Sequence, residues 1–130
     1  MANIGVAPPN PSSDVGKIRI LLGDTDAENI ISDMGEYRFF SDAELDAFLE
    51  MYGGNVKLAT ARCMETIAGS QVLLLKSWSS DDLSVNGDRI TDALRRVAAQ
   101  LRAEALDEES SEYFNLIPFY AGEHEHTWWN

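Results

Sequence analysis

The chain has 130 residues, 45% of them hydrophobic, and 22 acidic side chains against 10 basic ones, for a formal net charge of -12. That length supports one domain with one modest core. So acidic a balance argues against ordinary nucleic-acid binding, which needs Lys and Arg to replace counterions on phosphates, and against docking on an anionic membrane.

Residues 1–13 hold Pro8, Pro9 and Pro11 and read as an extended N-terminal arm, because proline fixes φ and lacks a donor. They carry no basic residue and no long apolar run, so neither a signal peptide nor an anchor is expected there. No later segment is apolar and long enough to span a bilayer. Ser13 or Asp14 then caps a first helix, in which Val15, Ile18, Leu21 and Leu22 recur at helical spacing and Lys17 and Arg19 turn away. Gly23 ends it. Residues 24–40 read as an irregular connection pinned to the core by Ile30, Ile31, Phe39 and Phe40.

Ser41-Asp42-Ala43-Glu44 is a capping box, with Phe40 and Leu45 placed for a hydrophobic staple. The helix that follows runs through Leu45, Phe48, Leu49 and Tyr52 and stops at Gly53-Gly54. Asn55 caps what is expected to be the longest helix, roughly 56–78, whose wide apolar surface suits a central element. Gly69 within it is expected to let a neighbouring backbone approach. Residues 79–88 read as a polar turn with a short extended piece at Leu83-Ser84-Val85. The last helix places Ile90, Leu94, Val97, Ala98, Leu101 and Ala105 at helical spacing, with Arg89, Arg95, Arg96 and Arg102 on its other side. The acidic run Glu104 to Glu109 opposes the helix dipole there, so that end is expected to fray or to find basic partners.

Residues 111–130 are too aromatic for an ordinary disordered tail. Tyr113, Phe114, Leu116, Ile117, Phe119, Tyr120, Trp128 and Trp129 show neither helical period nor strand alternation, and they read as an extended docking element after a finished domain at 14–110. The expected architecture is therefore all-α: a bundle of about four helices with an extended arm and an extended tail.

Chemistry is hard to find. Cys63, the single cysteine, lies among apolar neighbours and is expected to be a buried side chain. His124 and His126 alternate in the tail without a third ligand, a weak metal signal. Asp24-Thr25-Asp26-Ala27-Glu28 begins like a calcium loop, but Asn29 stands where glycine should turn and Gly35 where a bidentate glutamate belongs. No catalytic residue, cofactor or metal is expected, and an enzyme is not the reading.

The stretches Leu22-Gly23-Asp24-Thr25-Asp26, Phe40-Ser41-Asp42-Ala43-Glu44-Leu45 and Leu83-Ser84-Val85-Asn86-Gly87-Asp88, in this order over about residues 14–108, resemble the head-tail connector (adaptor) proteins of tailed bacteriophages. The resemblance implies a helical subunit of a ring, commonly of twelve copies, beneath the portal protein in the virion neck. Made in the bacterial host cytoplasm, such a subunit prolongs the channel for passing double-stranded DNA without binding it specifically, and carries the next neck or tail protein. The C-terminal segment would dock on the portal, which falls to Tyr113 through Trp129. Arg89, Arg95, Arg96 and Arg102 would pair with acidic surfaces of identical neighbours. Rival readings are a non-viral helical protein-protein adaptor, a metal-dependent enzyme using the tail histidines, and a nucleic-acid-binding regulator.

Overall fold

A computed structural model describes residues 3–116, with side chains as far as Ser110. Its elements in chain order are β1 (Asn3–Val6), α1 (Asp14–Leu22), β2 (Glu28–Ile31), β3 (Met34–Tyr37), α2 (Asp42–Met51), α3 (Val56–Ala68), α4 (Gln71–Leu74) and α5 (Ser80–Leu116).

The fold is mostly helical, and the all-α expectation needs one correction. β1, β3 and β2 form a three-stranded antiparallel sheet in that order. The N-terminal arm is extended but not free, since its first residues pair with Tyr37, Glu36, Gly35 and Met34. The expected irregular connection supplies the other two strands. Strand alternation is present in NIGV and MGEY, but each run is four residues long and carries a glycine where a core side chain would announce a strand. Of the residues expected to pin this segment, Phe40 is buried and Phe39 packs against the core, but Ile30 and Ile31 are exposed, and Tyr37 is buried in addition.

The helix starts follow local chemistry. Ser13 Oγ accepts from the Gly16 amide, and Asn55 Oδ1 from the Leu58 amide. At α2 both halves of the capping box form: Ser41 Oγ accepts from the Glu44 amide, and Glu44 Oε1 accepts from the Ser41 amide. Gly23 closes α1 in the left-handed conformation.

α3 is central, packing against α1, α2, α4 and α5. The main core holds Ile18, Phe40, Leu45, Leu49, Ala59, Cys63, Ile67 and Leu74. A second cluster, Ala61 and Met64 against Ala98 and Leu101, joins α3 to α5.

The longest helix is not the one over 56–78. That segment breaks at Gly69, and Ser70 recaps a single turn at α4 by accepting from the Leu73 amide. A Cβ on Gly69 would meet only carbonyls of its own helix, so the glycine marks the break and not a close approach. α5, with 37 residues, takes the place of the longest helix. Its first turns are the expected polar loop: Ser79 Oγ accepts from the Asp82 amide, and Asp81 and Asp82 favour the positive end of the dipole. Leu83 packs against the core while most of its neighbours are exposed, so the polarity marked an exposed helix face and not a loop, and Leu83-Ser84-Val85 is helical, not extended.

Candidate interaction interface

Two features organise the site: an ionic knot under the sheet, and the long helix on the other side of α3. Arg19 is 1% exposed and Asp24 2% exposed, so the expected outward turn of Arg19 is reversed. The Arg19 guanidinium donates to Asp24 Oδ2 at 3.2 Å, to Asp42 Oδ1 at 2.8 and 3.2 Å, and to the Phe40 carbonyl at 2.9 Å. It stacks 3.5 Å from the centroid of the Tyr37 ring. Asp24 in turn accepts from the backbone amides of Arg38, Phe39 and Phe40, and Asp42 Oδ2 accepts from the Val6 amide. A buried charge costs several kcal/mol of lost hydration unless such partners replace water. Here one arginine ties α1, the α1–β2 turn, the β3–α2 junction and β1 together. The carboxylate of Asp24 is committed to this task, which accounts for the calcium-like start of its loop. Among the described residues no group of three His, Cys, Asp or Glu side chains is placed to hold a metal ion.

The knot fixes the sheet face by face. Gly5 opposes Gly35 on the covered side, and a Cβ on Gly5 would lie 2.3 Å from Asp42 Oδ1. The other side faces out. There Val6 opposes Met34, which opposes Ile31, and Ile4 opposes Glu36, which opposes Glu28. Residues opposed in an antiparallel ladder share a face. The result is an apolar row across all three strands with two carboxylates beside it.

α5 runs antiparallel to α3. Lys57, in the first turn of α3, pairs with Glu104 at 3.1 Å and Glu108 at 2.8 Å. The acidic run thus finds a basic partner, and the helix continues through it to Leu116. Arg102 donates to both Glu65 oxygens, at 2.7 and 3.0 Å. It is therefore engaged inside its own chain, with Tyr52 below it. Arg89, Arg95 and Arg96 are exposed; no ion pair to them is present among the described residues. The seven-residue spacing brings Arg89 and Arg96 onto nearly one line, and Arg95 lies about 100° round the helix. Alongside runs an apolar groove of about 400 Å³ lined by Met64, Trp78, Ile90, Ala93, Leu94 and Val97, with Arg89 also in its wall. A larger groove, about 670 Å³, lies between α1, the start of α3 and α5, bordered by Ile20, Leu21, Lys57 and Glu108.

Cys63 is buried, and desolvation, aided by the charge of Asp24, pushes its thiol up to about 12. Of the expected docking residues, Tyr113, Phe114 and Leu116 fall on the last turns of α5, so residues 111–116 are helical where an extended tail was expected. Their side chains, and Ile117, Phe119, Tyr120, Trp128 and Trp129 entirely, lie outside the described residues, as do His124 and His126. No helix among the described residues is long and apolar enough to cross a membrane.

Comparison with protein-family models, with curated proteins and with solved structures returns no match.

Proposed function

We propose that the chain is a structural ring subunit, a head-tail connector of a tailed bacteriophage that sits beneath the portal and joins the capsid to the tail. The observation that carries this reading is the state of α5. The helix is held against the bundle from Leu83 to Glu108, continues beyond it to Leu116, and presents Arg89, Arg95 and Arg96 without acidic partners of their own chain among the described residues. In a chain with 22 acidic side chains, identical neighbours supply those partners. A head-to-tail contact between two different patches closes into a ring when its rotation allows.

The resemblance in LGDTD and FSDAEL adds weight, because these segments hold the Arg19 knot and the α2 cap and so specify a fold without specifying chemistry. The net negative charge suits a channel wall that passing DNA must not adhere to. In this reading the protein has no catalytic role and needs no cofactor. The aromatic end of the chain docks on the portal, and the assembled ring, commonly of twelve copies, resides in the virion neck.

The test is native mass measurement and electron microscopy of the protein alone and mixed with its portal protein. Rings seated on the portal are expected, and a variant lacking residues 117–130 should stay folded and fail to bind the portal. A full-length protein that remains monomeric with the portal present would overturn the reading.

A further inference from the structure

The outward face of the sheet and the groove on α5 have matching chemistry. The sheet offers an apolar row, Val6, Met34 and Ile31, with Ile4 beside it and the carboxylates of Glu28 and Glu36 along its edge. Ile31 is 74% exposed, and the other three also lie open to solvent. A contiguous apolar row over three strands is unusual on a surface that stays wet. The groove offers Trp78, Ile90, Ala93, Leu94 and Val97, with Arg89 in its wall and Arg96 one heptad further along. Apolar surface faces apolar surface, and two cations face two anions.

The two patches belong to elements that do not pack on one another: the sheet rests on α2, and α5 rests on α3. Each is therefore open to a different copy.

We infer that the outward sheet face of one copy seats in the α5 groove of the next, with Glu28 and Glu36 meeting Arg89 and Arg96. This rests on the ring reading above and names the surfaces through which its subunits join. The apolar row supplies the buried area, and the four charges set register and partner choice. The contact is heterologous, so an open chain of copies leaves one unused patch of each kind, at its two ends, until the ring closes.

The test uses full-length protein in sedimentation velocity and native mass measurement, with far-ultraviolet circular dichroism as the folding check. R89E/R96E and E28K/E36K alter exposed or rim side chains only, and each should weaken self-association at least about tenfold. Mixing the two variants should restore it, because each then meets a complementary face. Ile31→Asp should weaken it as well. Wild-type protein that self-associates, with both charge variants unaffected, would overturn the inference and leave the ring reading standing. Self-association lost and restored as described, but with rings that never bind the portal, would support the inference and overturn the connector reading. A wild-type chain that is monomeric alone and with the portal would overturn both.

Discussion

Arg102 reaches across the seam between α3 and α5 and closes on both oxygens of Glu65, fixing the register of the two helices thirty-seven residues apart in sequence. The hydrogen bonds from Arg102 favour the charged carboxylate, so Glu65 titrates below its ordinary value of 4.5. An acid whose folded value is depressed binds its proton more readily in the unfolded chain, so this pair stabilises the fold above the unfolded value and loses that contribution as pH falls through the lower folded one. Glu65→Gln should therefore be less stable than wild type near neutral pH, with the gap closing as pH falls below the ordinary carboxylate value of 4.5 and through the lower folded one. Urea titrations of both proteins across that range check it; a gap independent of pH would exclude the ion pair as its source.

Removing Arg19 strands two carboxylates, one of them fully buried. Arg19→Met is expected to cost about 3–5 kcal/mol, a large share of what a domain this size has. Chemical denaturation measures it, and a loss below about 1 kcal/mol would mean that water replaces the guanidinium at little cost.

Two glycines hold the chain close to itself. A Cβ on Gly16 would lie 1.7 Å from the Asn10 carbonyl oxygen, where the N-terminal segment crosses α1. Because that neighbour is backbone, it cannot rotate aside. Gly16→Ala should lose about 1–3 kcal/mol even though alanine is the better helix former, and Gly5→Ala should lose a similar amount by lifting β1 off Asp42. Thermal melts of the two variants decide this; an unchanged or raised midpoint for Gly16→Ala would contradict the crossing.

Cys63 should resist thiol reagents in the folded protein and react fully in denaturant. Its burial withholds both the sulfur and the thiolate. Stoichiometric labelling under native conditions at neutral pH would show that the centre of α3 opens readily.

The helix ends were legible because their signals are local. Ser13, Ser41 and Asn55 each act within three residues, and Gly23 acts on its own backbone. The helical spacing of Ile90, Leu94, Ala98, Leu101 and Ala105 marked the packed face of α5, while Val97, counted with them, is exposed. Arg19 was misplaced because its partners come from three other segments, and periodicity treats a charge as outward by default. The sheet was missed because Gly5 and Gly35 occupy the inward positions that apolar side chains normally advertise. The cue was there in NIGV and MGEY, where residues alternate about a glycine. For the interface, arginine placement along α5 could be read, but Arg102's commitment to Glu65 and the pairing of Val6, Met34 and Ile31 on one face depend on tertiary register.

α5 measures about 55 Å at 1.5 Å per residue, and α3, its main support, only about 20 Å. Such a rod is a lever supported from Leu83 to Glu108, with its overhang in about the last two turns up to Leu116. Torque applied to that overhang falls first on the Lys57–Glu108 pair and then on Arg102, so a load on the end of α5 reaches the seam with α3 before it reaches the core.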